Sequence, residues 1–370
     1  MIVATGVPAA AGTFQAFGPE TYLRGPGTPV PVVKSFSVLN PAAAYVIRVH
    51  NGGLSGEFPR VLSGNILING TQVLGPRDLN LTDKLVEKPV TLQASNQISV
   101  LVRGRQGAGI VVEIIGTDND APTITAHADP PANANGWNNT NVTVTFTCAD
   151  ATSGIASCSP PVTVSAEGAG RVVSGTAVDK AGNSASTSVT LNIDKTPPTI
   201  TQTAAPPANG NGWNNSDVTV TFTCADALSQ VATCPAPVSV TAEGTQSASG
   251  TAVDRAGNQA STSVTVRIDK SGPVITATRS PEANTNGWNN TDVVVTFTCS
   301  DGGSQIASCP GPVTVSSEVE GQVVSGTATD RAGNSASASV TVSIDKTPPT
   351  ISRAAAPRPT RTAGTTPTSR

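Results

Sequence analysis

The sequence predicts an all-β chain: a row of small β-sandwich modules behind one larger N-terminal sandwich. Three observations carry that prediction. A segment of about 75 residues occurs three times in tandem, aligned on Asn135-Gly136-Trp137, Asn211-Gly212-Trp213 and Asn286-Gly287-Trp288. Self-similarity at a fixed period marks a repeat architecture. Short Val- and Thr-rich runs recur throughout, punctuated by 35 Gly and 29 Pro, which is the chemistry of strands and turns. Each repeat also carries its own two cysteines at one spacing: Cys148 and Cys158, Cys224 and Cys234, Cys299 and Cys309.

Residues 1–11 form an N-terminal segment, and residues 12–117 read as one sandwich without cysteine. Within it, Asn69-Gly70 lies between the apolar runs Ile66–Ile68 and Val73–Leu74, the strongest short-range hairpin signal. Tyr45, Ile47 and Val49 alternate with Val46, Arg48 and His50. Ile98, Val100 and Val102 are expected to pair with Ile110, Val112 and Ile114 across a hairpin tip built on Gly104, Gly107 and Gly109.

The repeats are expected at 121–197, 198–272 and 273–348. In the first, Val142, Val144, Phe146 and Cys148 alternate with Thr143, Thr145 and Thr147. A period of two with one apolar face means a half-buried strand with threonines toward water. Val162 and Val164 repeat the pattern, as do Val189, Leu191 and Ile193. Between them Asp179-Lys180-Ala181-Gly182-Asn183 is turn chemistry. About six short strands in a module of this size fit a small sandwich of immunoglobulin type. Thr347-Pro348-Pro349-Thr350-Ile351 begins a fourth repeat, and residues 349–370, with Arg353, Arg358, Arg361 and Arg370 among Pro and Thr, are expected to be a disordered tail.

Composition excludes several classes. The net charge of −3 leaves no basic footprint for nucleic acid. No apolar stretch reaches the ~18 residues of a transmembrane helix. Three Trp, two Tyr and seven Phe do not supply the aromatic girdles of a membrane barrel, and the outward strand positions are threonines. His50 and His127 are the only histidines and lie far apart, and no HExxH, GxSxG or phosphate-cradling loop is present, so no catalysis is expected.

All six cysteines fall in the three pairs. With nine residues between partners and two distant histidines, zinc is a poor reading, and three intra-repeat disulfides are expected. Stable disulfides imply an oxidising compartment. Met1-Ile2-Val3-Ala4-Thr5 lacks the basic and apolar regions of a signal peptide. The expectations that follow are a fragment, a start set elsewhere, or another export route. Because Cys158 follows the Ser153-Gly154 bend, each bridge is expected to tie a loop to the sandwich edge.

GWNNTDVVVTFTCSD, VSGTATDRAGNSAS and SIDKTPPTI resemble the bacterial immunoglobulin-like repeats of secreted and cell-surface proteins, including HYR-like modules. The resemblance covers roughly residues 121–349. It implies β-sandwich modules in extracellular adhesins, stalks or appended domains, and no catalysis.

Two candidate sites follow. Asp118-Asn119-Asp120, before Ala121-Pro122, resembles the cadherin linker motif, and Asp118 and Asp120 can supply oxygen ligands to calcium. The rival reading is turn and cap chemistry. At the later junctions Asp194-Lys195, Asp269-Lys270 and Asp345-Lys346 put a cation beside each carboxylate, so calcium is expected at one junction at most, and no other cofactor. Asp150, Asp226 and Asp301 follow the strand cysteines and read as turn or outer residues. Trp137, Trp213 and Trp288 are candidate ligand-contact residues, as platforms for a glycan, although one Trp at a fixed place per module also suits packing. Asn138, Asn141, Asn214 and Asn289 begin N-x-Ser/Thr sequons.

The expected role is a non-enzymatic extracellular or cell-surface repeat protein. Its modules act as a stalk of on the order of 80–100 Å presenting the N-terminal domain. The alternatives are a carbohydrate-binding or adhesive module and a structural subunit of a surface filament or layer. The partner, a surface glycan or another surface protein, is not specified by the residues.

Overall fold

The computed structural model describes residues 12–357; the segment 1–11 and the tail residues 358–370 lie outside the described residues. The described chain is all-β, with no helix.

The N-terminal domain holds β1 (Thr13–Leu23), β2 (Val32–Ser37), β3 (Tyr45–Asn51), β4 (Ser63–Ile68), β5 (Thr71–Leu74), β6 (Leu85–Val90), β7 (Ser95–Arg103) and β8 (Gly109–Thr117). These make two four-stranded sheets, ordered β1-β8-β3-β6 and β2-β7-β4-β5. The inward residues of both form one core that includes Ile47, Val49, Ile66, Ile98, Ile110 and Ile114. The β4–β5 hairpin turns at Asn69 (φ 52°) and Gly70 (φ 81°), the left-handed pair that a two-residue hairpin loop requires.

One expected pairing is corrected. β7 and β8 do not form a hairpin: β7 pairs with β2 and β4, while β8 pairs with β1 and β3 in the other sheet. The Gly104–Gly109 segment is therefore a crossover between sheets. Alternation tells which residues face the core. It does not tell whether two strands lie side by side or face each other across that core.

The first repeat comprises β9 (Thr123–Asp129), β10 (Val142–Ala149), β11 (Ile155–Cys158), β12 (Val162–Val164), β13 (Gly168–Asp179) and β14 (Ser184–Ile193). They form two three-stranded antiparallel sheets, β12-β10-β9 and β11-β13-β14. The core is Val142, Val144, Phe146, Val173, Leu191 and Ile193. The Phe146 ring lies on Gly175, where a Cβ would stand 2.4 Å from it; Phe222 on Gly250 and Phe297 on Gly326 repeat the contact. This explains the glycine of each Ser-Gly-Thr-Ala run: a side chain there would occupy the space of the only aromatic ring in the core.

The second repeat has β15 (Thr199–Ala205), β16 (Val218–Ala225), β17 (Val231–Thr233), β18 (Val238–Val240), β19 (Gly244–Asp254) and β20 (Gln259–Ile268). The third has β21 (Val274–Ser280), β22 (Val293–Ser300), β23 (Ile306–Ser308), β24 (Val313–Val315), β25 (Gln322–Asp330) and β26 (Ser335–Val342). Both keep the strand order of the first. Two compact units divide the chain. One is the chain through Pro198 with the loops Ala225–Ala232 and Val253–Gln259; the other holds the remainder of the second repeat and the third.

Disulfides join Cys148 to Cys158, Cys224 to Cys234 and Cys299 to Cys309, with Cα separations of 6.0, 5.8 and 5.9 Å. Each bridge joins the two sheets at the edge of the sandwich. Cys148 lies on β10 beyond that strand's pairing with β12, and Cys158 is exposed on β11, the edge strand of the other sheet; Cys234 and Cys309 lie just after β17 and β23. The short loop after Asp150 carries the chain from one sheet to the other, which brings a closely spaced pair to opposite sheets.

Closing a loop of about ten residues contributes roughly 2–3 kcal/mol on the chain-entropy estimate. Reducing the intact chain is expected to lower the melting temperature of the repeats by at least about 4 °C while leaving the N-terminal sandwich unchanged. Calorimetry with and without reductant checks this; a repeat transition that does not move would remove the bridges from the stability of the fold.

Candidate functional site

Each module begins where a carboxylate from the preceding segment meets two from its own loops. Asp118 follows β8, Asp150 follows β10 and Asp179 ends β13, and one oxygen from each lies within 4.8 Å of the others. Asp194, Asp226 and Asp254 form the same group at the second repeat, and Asp269, Asp301 and Asp330 at the third. In every group the first and last aspartates are buried, at 2% exposure or less, and the middle one is half-buried.

The local sequence builds the group from turns. Asp150 Oδ1 accepts the amides of Thr152 (3.1 Å), Ser153 (2.8 Å) and Gly154 (2.7 Å), folding the loop that crosses between sheets. Burial pushes the Asp150 carboxyl up, but the hydrogen bonds from Gly154, Thr152 and Ser153 outweigh it and hold its pKa below the ordinary 3.8. Asp179 accepts from the Asn183 amide and side chain, both at 2.8 Å, closing the Asp-Lys-Ala-Gly-Asn turn.

The third carboxylate links the modules. Asp118 Oδ2 accepts the Ser153 amide at 3.1 Å, Asp194 Oδ2 that of Ser229 at 3.0 Å, and Asp269 Oδ2 that of Ser304 at 2.7 Å. The turn asparagine adds a second link: Asn183, Asn258 and Asn334 donate to the carbonyls of Asp118, Asp194 and Asp269 at 3.0, 2.9 and 2.8 Å. Between repeats a third contact appears. Asn133 and Asn135 both donate to the Arg255 carbonyl, at 2.8 and 3.1 Å, and Asn209 and Asn211 to that of Arg331 at the same two distances.

Three carboxylates this close repel, by about 3 kcal/mol per pair at an effective dielectric constant of 20. Among the described residues no Lys or Arg forms an ion pair with any of them. The lysines expected to oppose a cation point elsewhere. Lys195 Nζ donates to Asn141 and to the Ser165 carbonyl, Lys270 to Asp217 and the Thr241 carbonyl, and Lys346 to Asp292 and the Ser316 carbonyl. The groups can thus hold a metal ion by ligand type and spacing.

Of the two aspartates singled out in sequence, Asp118 is in the first group. Asp120 is exposed, and it contributes its amide to Asp118 Oδ1 at 3.0 Å. Trp137, Trp213 and Trp288 are half-buried beside their Asn-rich loops, with Asn133, Asn209 and Asn284 Oδ1 accepting their amides. Asn138, Asn214 and Asn289 are buried and donate to loop carbonyls, so these sequons present no free amide; Asn141 is exposed. His50 pairs with buried Glu113 in the N-terminal sheet, whereas His127 is exposed on β9. Asp179 reads from sequence as a turn residue, and Asp254 and Asp330 hold the equivalent place in their repeats. Three aspartates in constant phase in every repeat were the signal that could have joined them to the rest.

No family model matches the chain, and no curated protein matches it in sequence. Solved structures give low-scoring likenesses. The N-terminal eight immunoglobulin domains of Down syndrome cell adhesion molecule align over 90% of this chain and 49% of that one, with TM-score 0.34 and 10% identity. This chain therefore spans about half the length of that one. A structure from a bacterial ice-binding adhesin aligns over 62% of this chain and 100% of its own, with TM-score 0.27 and 15% identity. A tetra-tandem repeat from the extending region of a large adhesion protein aligns over 86% and 95%, with TM-score 0.24 and 14% identity. Scores this low carry no argument about function.

The Asp150 carboxylate yields a pH prediction. Its folded pKa is depressed, so its contribution is complete above the ordinary carboxylate value and is lost as pH falls through the lower folded value. Below about pH 4 the first repeat is expected to lose stability, and Asp150→Asn to flatten that loss. Melting temperature against pH for both proteins checks it; parallel curves would exclude Asp150 as the titrating group.

Proposed function

We propose that the protein is a non-enzymatic, extracellular or surface-displayed repeat protein, in which three immunoglobulin-like modules at 121–197, 198–272 and 273–348 form a stalk carrying the N-terminal sandwich. The observation that supports this reading is the joint: each module is fastened to the segment before it by the same aspartate–serine and asparagine–carbonyl bonds. A repeated, buried polar joint limits the freedom between successive modules, which a spacer requires and a flexible linker would not provide. The three disulfides support an oxidising compartment. Among the described residues no helix is long and apolar enough to cross a membrane.

Small-angle scattering tests the stalk. A compact globule of 370 residues has a radius of gyration of about 21 Å. The stalk reading expects a value well above that, and a globular value would sink it.

A second reading concerns calcium, and the observation favouring it is the grouping of three carboxylates without a paired cation. Two oxygens on opposite sides of a calcium ion at about 2.4 Å each are about 4.8 Å apart, so the spacing suits the ion. The grouping is the same at all three joints, which extends the reading beyond Asp118. Asp120 belongs to it only through its backbone. Titration calorimetry on the intact chain is expected to show a calcium equivalent for each joint. Asp179→Asn and Asp254→Asn should each remove one. Absence of heat at millimolar calcium would leave the aspartates as joint and turn residues alone.

A further inference from the structure

We propose that the outgoing face of the third repeat is a docking surface for a further module of the same repeat class, recognised through Asn284, Asn286 and Asp345. This rests on the joint reading above and goes beyond it, because it assigns a partner to a face that meets none among the described residues.

The two joints between repeats define what such a face needs. The outgoing half supplies a carboxylate with its carbonyl, and two side-chain amides. The incoming half supplies a serine amide, a turn asparagine and the carbonyl of the turn arginine. The third repeat carries a complete outgoing half. Asn284 Oδ1 accepts the amides of Asn286 at 2.9 Å and Trp288 at 3.1 Å, the same distances as in the loops of Asn133 and Asn209. The Asp345 amide is held by the Asn289 carbonyl at 3.0 Å, as those of Asp194 and Asp269 are held by Asn138 and Asn214 at 2.9 Å. Asp345 Oδ1 accepts Thr347 N at 2.9 Å, as Asp194 Oδ1 accepts Thr196 N at 3.1 Å.

What differs is the partner. Asp194 and Asp269 are 0% and 1% exposed, whereas Asp345 is exposed. Among the described residues its Oδ2 accepts no hydrogen bond, and the side-chain amides of Asn284 and Asn286 donate none. The following segment points the same way. Thr350-Ile351-Ser352-Arg353-Ala354-Ala355-Ala356-Pro357 parallels Thr199-Ile200-Thr201-Gln202-Thr203-Ala204-Ala205-Pro206, the opening strand of the second repeat and the proline after it. Ile200 packs against the core of its module, while Ile351 is 95% exposed and in no strand.

The chemistry also selects the occupant. The incoming serine amide and turn asparagine of all three repeats in this chain are already engaged by Asp118, Asp194 and Asp269. A second copy of the chain has none to offer without opening a joint. The occupant is therefore an additional module with a free Asp-x-x-Ser loop and Asp-Arg-Ala-Gly-Asn turn.

The test extends the intact chain by inserting a second copy of residues 274–349 after Pro349. Genetically encoded spin labels, which leave the disulfides alone, are placed on the third repeat and on the inserted copy. The same label pair is placed across the second and third repeats as a reference. A single narrow distance distribution is expected at both joints. Asn286→Ala with Asp345→Ala should abolish the narrow peak at the new joint only, and Asn211→Ala with Asp269→Ala at the reference joint only. A broad distribution at the new joint beside a narrow reference overturns the proposal, as does a new joint indifferent to Asn286→Ala with Asp345→Ala. A broad reference overturns the joint reading itself and this inference with it. Unchanged melting of the Asn286→Ala, Asp345→Ala variant of the original chain shows that the third repeat remains folded.

Discussion

The structure depends on one interaction made three times: a buried aspartate at the end of one segment accepts the amide of a serine in the next module. A carboxylate with 2% exposure or less must have its oxygens satisfied, because an ionised group without partners is costly to bury. At Asp118 the Ser153 and Asp120 amides meet that requirement, one on each carboxylate oxygen, while the turn asparagine donates to the aspartate's backbone carbonyl. Neither module alone can complete the set. The same hydrogen bonds recur at each junction because the residues that make them recur.

Such joints matter because each module has little core of its own. Six or seven buried apolar side chains hold a repeat together, with a single phenylalanine among them. Small domains bury a low fraction of their surface. The Phe-on-Gly contact brings the sheets close, and the disulfide between β10 and β11 fixes one sheet against the other. Threonines occupy most outward positions of β10, β16 and β22, while Val172, Val274 and Val323 are exposed on their strands.

The aspartate groups combine two demands in one place. Each carboxylate is a turn or link acceptor, and three of them converge within 4.8 Å. Hydrogen-bond donors stabilise the charges individually, yet they do not cancel mutual repulsion. The lysines next to the junction aspartates lie across the chain on Asn141, Asp217 and Asp292 and leave that repulsion uncompensated. The joint's satisfied hydrogen bonds and its electrostatic cost therefore come from the same residues.

The residues alone determined the all-β class, the threefold period, the inward faces of the strands and the Asn69-Gly70 hairpin. Each of these is local: it rests on a period of two, on a turn residue or on a repeated spacing. Contacts between distant segments were not legible. Whether β7 and β8 pair or face each other across the core depends on which sheet each strand joins, and alternation is the same in both cases. Cys148 and Cys158 show their spacing in sequence, but only the crossing loop after Asp150 puts them on opposite sheets. Asp118 and Asp120 look equivalent in the chain, yet the fold buries one among Asp150 and Asp179 and leaves the other in water. Sequence sets which groups need partners; the tertiary structure decides which partners they reach, because satisfaction of a buried charge depends on distances in space that the order of residues does not encode.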